Sequence, residues 1–260
     1  MNRQVDYKIY PSLLDSYQRY LNADVEGLWW QDDKGWWHKN YDESTGEYHY
    51  TPEEAENVIL QDLLNSINRV PFTSEAASKG TAFNKAIDDY ISGLYEINDT
   101  DTMIEAEADG MTFAFNPQLI KSIGDRFRGA LSQVFTKATI DTCYGAVELY
   151  GYIDELLRDK VYDLKTTSSY SFGKYEDHWQ RHVYPYCLVK SGVCTDISSF
   201  EYTVIQLNKG QVITGREYRE EYTFNFEQSE RMIREFLERF IEFLNNHRED
   251  IVVTKLFGNE

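Results

Sequence analysis

Two aspartates and a lysine, Asp154, Asp163 and Lys165, sit in a stretch whose pattern can bring them together. Tyr150 to Leu156 and Lys160 to Thr166 are short runs rich in Tyr, Ile, Leu and Val, joined by the polar pair Arg158-Asp159, and they read as a β-hairpin. With that pair as the turn, Leu157 faces Lys160 and Asp154 falls directly opposite Asp163. Alternation then puts Asp163 and Lys165 on one face and Leu164 on the other, opposite Ile153. Opposed carboxylates at about 4.5–5.5 Å repel and need positive charge between them. A lysine can supply it, and two carboxylates with an open side also make a hard-oxygen site for Mg²⁺. The turn has no Gly or Asn, and a three-residue loop would send the aspartates to opposite faces. Geometry by itself therefore leaves both a solvated Asp/Lys hairpin and a metal site open.

Gly151-Tyr152-Ile153-Asp154 followed by Asp163-Leu164-Lys165-Thr166-Thr167 resembles the signature of the PD-(D/E)XK nucleases, in the GxxD…DxKT form of the RecB-type branch that includes phage recombination exonucleases. Gln180-Arg181-His182-Val183-Tyr184 matches that branch's QxxxY motif, and Gly80-Thr81-Ala82-Phe83-Asn84 stands where the family has GxxxH. A lone DxK says little; the motifs taken together in the family's order are specific. The resemblance implies an α/β (α+β) fold with a restriction-endonuclease-like core, a central mixed β-sheet flanked by helices. It implies metal-dependent hydrolysis of DNA phosphodiester bonds, with the chain expected to be an exonuclease of recombination, repair or replication. Mg²⁺ or Mn²⁺ would be held by Asp154, Asp163, the Leu164 carbonyl and Asn84. Lys165, Gln180 and Tyr184 would act beside the two aspartates in catalysis. DNA is the implied partner, together with a protein such as a single-strand-annealing or DNA-binding protein. One departure stands out: Asn84 replaces the family's histidine, and its amide oxygen can bind Mg²⁺ or its water but supplies no imidazole. Asp88, one turn on, is placed to compensate.

Composition sets the outer bounds. At 260 residues and 42% hydrophobic content the chain can bury a large core. We divide it into an aromatic-rich, helical appendage over residues 1–70, packed on a nuclease core over 71–260. No apolar run reaches the length of a membrane span and MNRQVDYKIY has no signal-peptide core, so a cytoplasmic location is expected. Three cysteines are too few for the four-cysteine cluster of some RecB-type nucleases. The net charge of −18 argues against strong non-specific DNA binding, so phosphate contacts must be local. Lys121, Arg126, Arg128 and Lys137 form the candidate run, with a solvated helix face as the alternative. The charge and Asn84 also motivate a second function class, a catalytically silent, acidic nuclease fold serving as a protein-binding or DNA-mimicking partner.

The elements that must position these residues follow from periodicity. Pro11 to Leu21 is a packing helix, and Leu28 to Tyr50 holds Trp29, Trp30, Trp36, Trp37, Tyr41, Tyr48 and Tyr50. Such aromatics can stack on unpaired bases, but filling a small β-rich core is the favoured reading. A helix capped by Thr51 runs to about Asn68, and a second runs from about Ser74 to Tyr95, with Gly80 and Asn84 on one face. Gly80 marks a close backbone approach. A hairpin turns at Asp109-Gly110, a helix follows Asn116-Pro117, and two strands turned at Tyr144-Gly145 lead into the central hairpin. A helix from about Lys174 to Lys190 puts Gln180 and Tyr184 on one face, toward the site. His178 and His182 fall on the other side, for solvent or DNA contact in preference to zinc. Strands from Phe200 to Leu207 and within 211–226 precede a last amphipathic helix capped by Ser229.

Overall fold

The structure, a computed structural model, describes residues 4–258. In chain order its elements are β1 (Tyr7–Ile9), α1 (Pro11–Leu21), four short strands β2 (Trp29–Gln31), β3 (Trp37–Lys39), β4 (Tyr41–Asp42) and β5 (Glu47–Tyr48), then α2 (Pro52–Ile67), α3 (Glu75–Ile91), β6 (Ile104–Ala108), β7 (Met111–Phe115) and α4 (Pro117–Arg126). There follow β8 (Leu131–Thr142), β9 (Gly145–Leu157), β10 (Lys160–Thr167), α5 (Gln180–Lys190), β11 (Ser199–Leu207), β12 (Gly215–Thr223) and α6 (Phe226–Asn246). The main sheet has six strands in the order β1-β9-β10-β11-β12, with β8 also paired to β9. Pairs β1/β9 and β10/β11 are parallel, whereas β8/β9, β9/β10 and β11/β12 are antiparallel. The fold is thus α/β, a mixed sheet flanked by helices. Among the described residues no helix is long and apolar enough to cross a membrane.

Each face of the sheet carries its own core. Residues of α1, α2, α5 and α6 bury Val147 and Leu149 of β9 on one side, while α3, α4 and the β6–β7 hairpin cover Leu164, Ile205 and Leu207 on the other. Helix α5 is buried nearly all round, from Gln180 through Val183, Tyr184, Tyr186, Cys187 and Leu188, so it runs through the interior and not along a surface. The helix starts follow local chemistry. Thr51 and Glu54 form a reciprocal capping box on α2, and Ser74 caps α3 by accepting from the Ala77 N–H. Helix α6 is capped by Asn225, one turn before the expected Ser229, and Ser229 is instead buried inside it.

The aromatic segment does not fill a core. Trp29, Trp36, Trp37 and Tyr48 are exposed, and only Trp30 is sandwiched, between the rings of His38 and His49. Strands of two or three residues have no second layer to pack against, so the rings stay outside. β1 and α1, by contrast, are built into the main sheet and its helical layer.

Candidate active site

The site lies where two strands part. β8 pairs with β9 along nearly its whole length on one edge. The other edge is shared, by β1 at Val147–Leu149 and by β10 at Glu155–Leu157, so Tyr150 to Asp154 have no strand beside them there. The hairpin turns as its sequence implies, with Leu157 against Lys160 and Tyr162 against Glu155. Arg158 takes a left-handed φ of +58° in the absence of a turn glycine.

Beyond that rung the expected opposition of Asp154 and Asp163 is not kept. The ladder ends, and the Asp154 carboxylate accepts the Leu164 N–H at 2.8 Å. Alternation also fails at Asp154: Ile153 and Leu156, of opposite parity, join the same cluster. The β8 ladder skips the Gln133/Asp154 rung, and Gln133 sits at φ +53°. Ile153 and Leu164, expected to face each other, consequently pack in different cores on opposite sides of the sheet. Asp154 is the point at which β9 twists from one register of faces to the other.

Three side chains close a ring at the fork. Lys165 Nζ lies 2.7 Å from Asp163 Oδ2 and donates to Gln180 Oε1 at 2.6 Å, and Gln180 Nε2 donates to Asp163 Oδ1 at 2.7 Å. Gln180 Nε2 also reaches Tyr184 Oη at 3.5 Å. The sequence-assigned Asp163, Lys165, Gln180 and Tyr184 are therefore brought together, with Asp154 beside them. Asp163 is buried, and burial raises its pKa while Lys165 pulls it down. Burial, with the charge of Asp163 second, pushes Asp154 up to about 7. Burial opposes the charge of Lys165, but Asp163, Asp154 and Asp15 outweigh it and its pKa is raised. Two glycines make room: a Cβ on Gly151 would stand 2.7 Å from the Tyr184 ring, and one on Gly80 2.6 Å from Thr166 Oγ1. The close approach expected at Gly80 is that of α3 to β10.

Asn84, one turn beyond Gly80, has its Oδ1 buried with no hydrogen-bond partner among the described residues. Asp88, the residue expected to compensate, lies close enough to Asp154 for its charge to raise that carboxyl's pKa. It accepts from Gln133 Nε2 at 3.2 Å and shares a hydrogen bond with Glu155, which Ser132 holds through both oxygens at 3.0 and 2.8 Å. Burial raises both carboxyls, Glu155 to about 8, so this pair retains a proton near neutrality.

Asp15, which sequence reasoning left in a packing helix, is a member of the site. It is buried, accepts the Trp179 N–H at 2.6 Å just ahead of Gln180, and lies 3.6 Å from His178 Nδ1. Burial pushes it up to about 6 and His178 down to about 4. A cavity of about 270 Å³ opens onto this group, lined by Tyr10, Asp15, Arg19, Lys165, His178 and Gln180 among others. His178 thus borders the site, contrary to its expected place. Helix α5 begins only at Gln180, so the helical projection does not extend back to it. His182 does point elsewhere, to Ser229 Oγ at 3.0 Å. Asp15 falls about 150° round α1 from the Leu13/Leu14/Tyr17 stripe, so helical periodicity gives no signal for it.

Three of the four cations of the basic run, Arg126, Arg128 and Lys137, are each tied to a different set of acids. Arg126 is tied to Glu201, Glu217 and Thr203 across β11 and β12, Arg128 to Asp125, and Lys137 to Glu148 on β9 at the far side of the sheet.

The donor set suits a hard cation. The groups that the resemblance assigns to it are all oxygens, those of Asp154, Asp163, the Leu164 carbonyl and Asn84, whose Oδ1 is buried without a partner among the described residues, and Mg²⁺ commonly takes one or two carboxylates and keeps the rest of its shell for water and phosphate. Among the described residues no group of three or more His, Cys, Asp or Glu side chains stands where it could hold a metal ion.

No family model matches the chain, and no curated protein is similar to it. Among solved structures it is similar to the protein titled "Crystal structure of SSO0001", at 13% identity with a TM-score of 0.38, over 91% of this chain and 78% of that one. That likeness is too slight to define a fold or a function.

Proposed function

We propose that the chain is a Mg²⁺- or Mn²⁺-dependent deoxyribonuclease with a restriction-endonuclease-like core, an exonuclease acting in the cytoplasm in DNA recombination, repair or replication. The observation that carries this reading is the closed ring of Asp163, Lys165 and Gln180 at the strand fork, beside Asp154. Asp154, Asp163, the Leu164 carbonyl and Asn84 are the groups that would hold the cation. When bound, it supplies Lewis acidity that strengthens a water nucleophile and offsets phosphate charge. The protein's own contribution is positioning. Gln180 fixes both the Asp163 carboxylate and the Lys165 ammonium, so Lys165 meets negative charge developing on the phosphate without reorganising. Tyr184, whose pKa burial raises, stays a neutral phenol behind Gln180.

Cleavage of end-labelled single- and double-stranded DNA across a Mg²⁺ and Mn²⁺ series tests this. Lys165→Ala is expected to lower the rate by roughly 10²-fold or more with little change in binding. Asp163→Asn should weaken metal affinity, and Asn84→His should raise activity or metal affinity. Equal cutting by all four proteins would remove these residues from the reaction.

Asn84 in the histidine's place, with the net charge of −18, favours a second reading, the silent acidic partner of a DNA-binding or single-strand-annealing protein. A wild type inert at every metal concentration, with cutting conferred by Asn84→His alone, would select it.

A further inference from the structure

We propose that the open face of β8 and β9 beside the fork is a stacking platform for unpaired nucleotides of single-stranded DNA. The inference rests on the deoxyribonuclease reading and adds the form of the substrate and its path to the site. Along β9, Val147, Leu149 and Ile153 are buried under the helices, while Glu148, Tyr150 and Tyr152 turn to the opposite face. On β8 their partners are Thr139, Lys137 and Phe135. Phe135 and Tyr152 are 50% and 58% exposed, with ring centroids 5.2 Å apart. Two residues back along β9, at the β1 end of the fork, Tyr150 packs on Tyr10 at 5.9 Å, and Arg69 both covers the Tyr10 ring at 5.1 Å and donates to Tyr150 Oη at 3.0 Å. Tyr10 in turn lines the cavity shared with Lys165 and Gln180. Two ring pairs thus flank this stretch, Phe135 with Tyr152 on the exposed sheet face and Tyr150 with Tyr10 beside the cavity.

The charge on this face selects the occupant. Lys8, Arg69 and Lys137 stand along it with two acids, Glu148, which Lys137 pairs at 2.8 Å, and the exposed Asp141 farther along β8. On a chain of net charge −18, cations interleaved with exposed rings suit a ligand carrying both phosphates and aromatic faces. A duplex hides its base faces in its own stack, so the rings favour the single strand.

The test is fluorescence anisotropy of a fluorescein-labelled oligothymidine of about a dozen nucleotides, a length one such groove can hold, with the full chain in EDTA so that nothing is cut. Phe135→Ala/Tyr152→Ala should weaken binding by at least about 30-fold, whereas Tyr152→Phe, which keeps the ring, should stay within about 2-fold of wild type. A duplex of equal length should bind more weakly and ignore both changes. Because both side chains are half exposed, unchanged melting temperatures are expected and separate lost contacts from lost folding. Wild-type affinity in the double variant, or equal binding of duplex and single strand, overturns the platform. So does a wild-type dimer in sedimentation that the double variant dissolves without any oligonucleotide binding. Since binding is read without metal, cleavage by a wild type whose affinity ignores the ring changes would refute the platform alone. Ring-dependent binding without cleavage would refute the nuclease reading alone.

Discussion

Lys165 keeps its charge with only 23% of its side chain accessible because three carboxyls face it. Asp163 and Gln180 fix its position, and Asp15 reaches it from a helix that sequence reasoning had assigned to packing. Asp15 is the costly member. Its folded pKa of about 6 lies above its ordinary 3.8, so between roughly pH 4 and pH 6 the folded state holds a proton that the unfolded chain has released. Stability from this group is greatest below pH 4 and is lost as pH rises through 6. Asp15→Asn keeps an acceptor for the Trp179 N–H and removes the titration. The variant should match wild type near pH 4 and exceed it above pH 7 by on the order of 1–2 kcal/mol. Parallel curves of melting temperature against pH for the two proteins would rule this role out. Asp163, Lys165, Gln180 and Tyr184 were legible in the sequence because each lies within a short motif of fixed spacing. Asp15 was not, because nothing local couples residue 15 to residue 179; that contact exists only once β1 pairs with β9 and delivers α1 to the fork.

At the scale of elements, the fork forms because β9 gives one edge to two strands, and α3 closes over it at Gly80. The hairpin's turn and pairing followed from alternation and the polar tip. The loss of alternation at Asp154 did not, since it depends on the missing Gln133 rung in a neighbouring strand. Likewise the start of α5 at Gln180, six residues later than periodicity suggested, follows from tertiary ties on Trp179 and His178 and has no local stop signal. Gly80 can be tested as an element contact. Gly80→Ala would set a methyl 2.6 Å from Thr166 Oγ1, pushing α3 off β10, and should destabilise by roughly 1–3 kcal/mol. In a Thr166→Ala background the obstruction is gone, and the same change should stabilise by up to about 1 kcal/mol through helix propensity. Chemical denaturation of the four proteins gives the coupling directly. Additive effects would mean that α3 and β10 do not meet as closely as described.

For the molecule as a whole, the charge of −18 and the proposed binding of DNA have to be reconciled by position. Sequence placed the cations in one run from Lys121 to Lys137. Folding instead ties Arg126 to the β11–β12 carboxylates and leaves Lys137 on the β8–β9 face, where β1 brings Lys8 and the end of α2 brings Arg69. Residues far apart in the chain make that cluster, which is why no window of sequence displays it. Its small size fixes a quantity. Each phosphate neutralised on a single strand contributes about −0.7 to the slope of log K against log salt, so three cations give a slope of roughly −2. Oligothymidine titrations from low to physiological salt should return that shallow value, and Arg69→Ala should make it shallower by about 0.7. A slope of about −5 or steeper would require phosphate contacts with cations elsewhere on the chain. A slope near zero would leave the rings to act without the charges, and Arg69 would then serve only to hold Tyr10 against Tyr150.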